Sequence, residues 1–168
     1  MLRRLGAIGA AFAVLLLGLA PASQASVSVT VPANSNLGSA STGTATLTAQ
    51  LGSVTASAGG ILGVQVTANV SCSDFKTGSG SAAETISKNN VFYWSGPASV
   101  TGLLASVTPG QPTSADQVSC ATSHQADWAA AGLGLLAVST SWNPTIIIHL
   151  PASAVVGTYT GTVTHTVV

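Results

Sequence analysis

Charge is nearly absent from this sequence. Four Lys+Arg and four Asp+Glu make up 5% of 168 residues, against roughly a quarter in an ordinary soluble domain. No basic patch can form on such a chain to neutralise a run of phosphates, so nucleic acid is excluded as a partner. Disorder driven by charge is excluded as well, since it needs low hydrophobicity together with high net charge, and the net charge here is +0. Aromatics are scarce too, at 5%, and there are only two cysteines. What fills the chain instead is 22 Ser, 20 Thr, 18 Gly and 18 Val. These are poor helix formers, which argues against a helical bundle. The composition points to an all-β, secreted protein of one domain.

Met1 to Ala25 reads as a secretory signal peptide. Arg3 and Arg4 form a positive start, and Leu5 to Ala20 is an uncharged apolar run. Pro21 ends the run, and Ser23-Gln24-Ala25 places small residues where a signal peptidase cuts. The alternative is a membrane anchor, but the run falls short of the ~20 residues that span a bilayer. Cleavage leaves positions 26–168 as a single domain with no membrane segment in the mature form. It retains Lys76 and Lys88 against Asp74, Glu84, Asp116 and Asp127, a formal charge of −2.

The mature chain is patterned as strands. Val27, Val29 and Val31 alternate with Ser28 and Thr30. From Thr44 to Leu51 and from Ile61 to Cys72 the same period of two recurs, the second run with Leu62, Val64, Val66, Ala68, Val70 and Cys72 on one face. Val54-Thr55-Ala56, Val91 to Trp94, Leu103 to Val107, Gln117 to Ala121, Leu133 to Thr140, Thr145 to Leu150 and Thr158 to Val168 add further short segments. Ser123 to Gly132 is ambiguous and could hold one helical turn. The Gly/Ser-rich stretch from Lys76 to Lys88 reads as an exposed loop. Eight or nine short strands with turn signals recurring between them predict a single antiparallel β-sandwich of Ig-like or Greek-key type.

Cys72 shares a strand face with Val66 and Val70, and Cys120 shares one with Val118. Both are expected to point inward, and secretion leads to an oxidising compartment. Two cysteines allow one pairing. A Cys72–Cys120 disulfide would close a long loop; the alternative is two buried thiols packed as small apolar groups.

The chemistry of catalysis is thinly represented. His124, His149 and His165 each stand alone on their segments, with no partner at ligand spacing, so no metal site is predicted. His165 falls on a face with Tyr159, Val163 and Val167 and reads as a hydrogen-bonded core or boundary residue. No Gly-x-Ser-x-Gly elbow occurs, and the four acids are scattered. Gly132 to Ala137 fits a loose dinucleotide fingerprint but lacks its strand, helix and downstream acid, so no cofactor is expected. These observations predict a protein that is not an enzyme. Tyr93, Trp94, Trp128 and Trp142 remain as candidate binding residues, since indole and phenol rings stack on sugars and anchor protein partners. Tyr93 and Trp94 are adjacent on a strand, so they point to opposite faces and only one of them is expected inside. Trp94 and Trp142 could equally fill the core.

The segments SVTVPANSNLG, AQLGSVT, VTANVSCSDF, VFYWSGP and WNPTIIIHLPASAVVGTYTGTVTHTVV, in this order, resemble the WxL-type surface domains of Gram-positive bacteria, and most of all small actinobacterial relatives of that group. Both signature tryptophans are absent: Val66 stands where the first motif has Trp, and His165 replaces the Trp that follows Tyr159, Thr162 and Thr164. The resemblance implies a β-sandwich displayed at the cell surface and held to the wall or to other surface proteins without covalent attachment. The expected function is therefore a secreted, non-catalytic cell-wall or cell-surface binding module whose partner is a wall glycan or another surface protein. The alternative is a structural subunit, pilin-like or coat-like, that assembles by strand pairing.

Overall fold

The structure, a computed structural model, describes residues 25–40, 46–60, 63–132 and 136–168. The signal-peptide segment up to Gln24 lies outside the described residues, as does the start of the Thr44, Ile61 and Leu133 runs. No helix among the described residues is long and apolar enough to cross a membrane.

The fold is all-β. Fourteen strands form among the described residues: β1 Ser26–Thr30, β2 Thr46–Gln50, β3 Val54–Gly59, β4 Gln65–Cys72, β5 Phe75–Lys76, β6 Thr85–Ile86, β7 Val91–Trp94, β8 Ala98–Thr101, β9 Ser106–Pro109, β10 Val118–Ser119, β11 His124–Ala130, β12 Ala137–Trp142, β13 Thr145–His149 and β14 Val163–Val167. They make three four-stranded antiparallel sheets, ordered β1-β3-β12-β8, β10-β7-β13-β2 and β14-β4-β11-β9, with β5 and β6 as a small ribbon. The expected eight or nine strands is thus an undercount. Residues 123–132 hold a strand and no helical turn, and the expected exposed loop between Lys76 and Lys88 contains part of the β5–β6 ribbon.

The strands that the pattern did not single out are β5, β6, β8 and β11, and β8 lies beyond a break that three neighbouring strands share. β2 runs into β3, β12 into β13 and β7 into β8 across short breaks that sit side by side. The registers meet there: Thr145 pairs with Gln50 and Trp94, and Trp142 with Val54 and Ala98. Three neighbouring strands therefore bend together, and the first two sheets are one sheet folded at a corner. The corner uses Gly52 and Gly96, both with positive φ (94° and 75°), a conformation open to glycine. Pro144 lacks the N–H a ladder needs, but its carbonyl accepts from Leu51 N–H at 2.9 Å and the Asn143 side chain accepts from Gly52 N–H at 3.2 Å.

The first and third sheets pack face to face, β1 on β14, β3 on β4, β12 on β11 and β8 on β9. Val54, Ala56, Ala58, Val138 and Trp142 from one layer meet Val66, Ala68, Val70 and Ala129 from the other. Val91, Tyr93, Ile146 and Ile148 of the second sheet join the same core. The small side chains facing each other here suit a thin, close-packed sandwich. Cys72 and Cys120 are joined, with Cα atoms 5.3 Å apart, so the end of β4 is tied covalently to the segment after β10. Cys120 is buried, while Cys72 is half-buried rather than fully inside.

Candidate functional site

Strand β7 separates two of the predicted binding residues by its pleat. Val91 and Tyr93 point into the core, and Phe92 and Trp94 point out. Tyr93 is 0% exposed and committed to an internal network, so it is corrected from candidate binding residue to core residue. Its hydroxyl accepts from Trp142 Nε1 at 3.0 Å and lies 3.2 Å from His165 Nε2. Trp142, 3% exposed, is removed from the candidates for the same reason. Burial pushes the Tyr93 phenol far above its usual range, so it stays protonated and donates to a neutral His165. Burial likewise holds the His165 imidazole down to about 4.

A second buried polar group was not singled out by the sequence. Asp127 is 0% exposed. Burial raises its carboxyl to about 6, with the Thr140 hydroxyl, which donates to Oδ2 at 2.6 Å, pulling the other way. Its other oxygen has no partner among the described residues. A β-bulge in β11 between Gln125 and Asp127 puts Asp127 inside. Both Ala126 and Asp127 turn to the core there, which strict alternation forbids. Gly110 lies against the bulge and donates its N–H to the Ala126 carbonyl at 2.9 Å. A Cβ at that position would strike the Gln125 carbonyl oxygen.

Past the bulge, Trp128 faces outward, half-buried, from a middle strand of the third sheet. Thr67 and Thr108 are its cross-strand neighbours. The next row across the sheet is Gln125, Asn69 and Thr166, and the row beyond holds Ser71 and Thr164. No ionisable side chain shares these rows. Trp94 has a different setting. It is half-buried on the outer face of the second sheet, with Thr145 and then Gln50 across from it and Phe92 and Ile147 in the next row, 3.8 Å from where a Cβ of Gly96 would lie. Phe92 packs edge-on against His149, ring centres 5.0 Å apart. The outer face of the first sheet carries paired hydroxyls, with Thr55 bonded to Ser141 at 2.8 Å and Ser57 to Ser139 at 2.9 Å.

The four sequence-selected aromatics thus do not converge. Tyr93 and Trp142 meet inside, and Trp94 and Trp128 stand on different outer faces. The three histidines are also apart, and no group of three or more His, Cys, Asp or Glu that could hold a metal ion occurs among the described residues. No family model, no curated protein sequence and no solved structure matches this chain.

Proposed function

We propose that this chain is a secreted, non-catalytic module of the cell surface or wall that binds an uncharged glycan through the outer face of the β14-β4-β11-β9 sheet. The observation that carries the reading is Trp128, presented on a rigid strand between two threonines and beside the amides of Asn69 and Gln125. An indole stacks on the C–H face of a sugar ring, while hydroxyls and amides around it bond to the ring's own hydroxyls. Rows without ionisable side chains suit a neutral ligand. Trp94 is the weaker candidate because the hydroxyl-bearing residue beside it, Thr145, is buried at 4% exposure, which leaves Gln50 as the polar group of its row, and the next row is Phe92 and Ile147. The Cys72–Cys120 bridge, the Arg3-Arg4 start and the apolar run after it support export.

Co-sedimentation with isolated Gram-positive cell wall tests this reading. The wild type and Trp94→Ala should pellet with the wall, and Trp128→Ala should lose at least tenfold in apparent affinity while melting near the wild-type temperature. Unchanged retention of Trp128→Ala would refute the proposed face.

A further inference from the structure

Strand β14 lies at an open edge, and its hydrogen-bonding groups divide cleanly. Val168 and Thr67 exchange both backbone bonds, at 2.9 and 3.0 Å, and Ser73 N–H donates to the Thr162 carbonyl at 2.9 Å. With Thr166 opposite Asn69 and Thr164 opposite Ser71, the even-numbered residues from 162 to 168 turn their N–H and C=O toward β4. Those of Val163, His165 and Val167 then point away from it. Among the described residues, nothing pairs with that side. Natural edges are blunted by lysines, prolines, bulges or covering segments. This strand has no lysine, no proline and no bulge.

The adjacent edge of the other layer is bare as well. β1 packs on β14 and holds only Ser, Val and Thr. On its core-facing side, and just beyond its end, Val27 and Val31 are 43% and 45% exposed. Unpaired backbone and uncovered valines therefore lie along one side of the sandwich.

We infer that this side is the interface between two copies of the chain, joined by antiparallel β14–β14 pairing about a two-fold axis at His165. The register is self-complementary. His165 faces His165 of the second copy, and Val163 and Val167 face each other in both directions, so all three outward-turned residues fall into hydrogen-bonded pairs. The axis stands perpendicular to the sheet. The β14-β4-β11-β9 sheet becomes one of eight strands, and β1 of each copy comes beside the other, where Val27 and Val31 are covered. Both Trp128 side chains end on the same face. They are five strand spacings apart across the sheet, about 24 Å at ~4.8 Å per strand, and six residues apart along it, about 20 Å at ~3.4 Å per residue, which places them roughly 31 Å from each other. A dimer of this kind grips a repeating polymer at two points. The pairing itself does not depend on what Trp128 binds.

Analytical ultracentrifugation of the chain from Ser26 to Val168 with the disulfide intact reads the mass. The expected result is a dimer at tens of micromolar. Val167→Pro removes an N–H that faces the open edge and leaves the β4 ladder whole, so it should be monomeric, at least tenfold weaker in self-association, with an unchanged circular dichroism spectrum. In the Thr164→Cys/Thr166→Cys variant the thiols of one copy face those of the other in non-hydrogen-bonded pairs with Cα atoms ~4.5 Å apart. Oxidation should convert it to a covalent dimer on a non-reducing gel. A monomer at several hundred micromolar would overturn the inference. So would a dimer that survives Val167→Pro, one that fails to cross-link, or a ladder of higher species in place of a single dimer.

Discussion

Replacing His165 by glutamine should uncover a pH dependence of stability that the buried Asp127–His165 pair cancels in the wild type. Two buried groups titrate in opposite senses. Burial raises the Asp127 carboxyl from 3.8 to about 6 and lowers the His165 imidazole from 6.5 to about 4. Between about pH 4 and 6 the folded chain holds one proton on this pair, at Asp127. The unfolded chain also holds one, at His165. Equal proton counts leave no slope of stability with pH from the pair. In His165→Gln only the carboxyl remains. A carboxyl whose value rises on folding gives stability that is present below 3.8 and lost as pH climbs toward 6. At about 1.4 kcal/mol per pH unit this amounts to about 3 kcal/mol. Asp127→Asn leaves only the imidazole, whose lowered value gives stability present above 6.5 and lost as pH falls toward 4. With a discount for the water that reaches half-buried His165, that is about 2 kcal/mol. Tyr93 stays protonated throughout. Exposed carboxylates such as Glu84, held down to about 2 chiefly by the Ser79 hydroxyl, act equally in all three proteins and cancel on subtraction. Urea melts at pH 4, 5 and 6, followed by tryptophan fluorescence, read the two slopes. Slopes of the same sign in the two variants, or a flat His165→Gln, would refute the reasoning.

Two further outcomes follow from the core and the bridge. Tyr93→Phe should cost about 1–3 kcal/mol in a urea melt, because it strands the buried Trp142 N–H and takes the donor from His165 Nε2, whereas Trp94→Ala on the outer face should cost less; equal losses would contradict the assignment of inside and outside on β7. The denatured, unreduced protein should take up no alkylating agent. Reduction should lower stability by about 4 kcal/mol, since the two cysteines stand 48 positions apart in sequence; labelling of both without reduction would sink the bridge.

The all-β class was legible because burial here needs only alternation. A strand with one face in a core and the other in water must place apolar and polar residues in turn, and Val66, Ala68 and Val70 against Thr67 and Asn69 do so visibly. The same rule placed Tyr93 and Trp94 on opposite faces. It could not say which was inside, because that depends on which neighbours supply a partner for the phenol. Trp142 and His165 supply it from 49 and 72 residues away, and neither the distance nor the direction is written in a local pattern. The corner is hidden for another reason. Gly52-Ser53, Asn143-Pro144 and Gly96-Pro97 each look like a turn that ends a strand. Only their alignment side by side turns three ends into three bends of a continuous sheet.

Asp127 shows where such reading stops. In isolation an acid between an alanine and a tryptophan belongs to a loop or a solvated face, since an unpaired carboxylate is expensive to bury. The bulge at Gln125–Asp127 reverses that placement by one residue, and the residue that accommodates it, Gly110, lies just past the end of β9. Gly110 admits the backbone of β11 so closely that any side chain there would strike the Gln125 carbonyl. The inserted residue shifts Asp127 inward onto the Thr140 hydroxyl and so sends Trp128, the next residue, outward between Thr67 and Thr108. The raised proton affinity of Asp127 and the indole offered to a ligand are two results of one displaced residue. Their separation is testable at Gly110. Adding a methyl group there should disturb both the pH response of the core and the binding face, whereas Trp128→Ala should disturb the face alone.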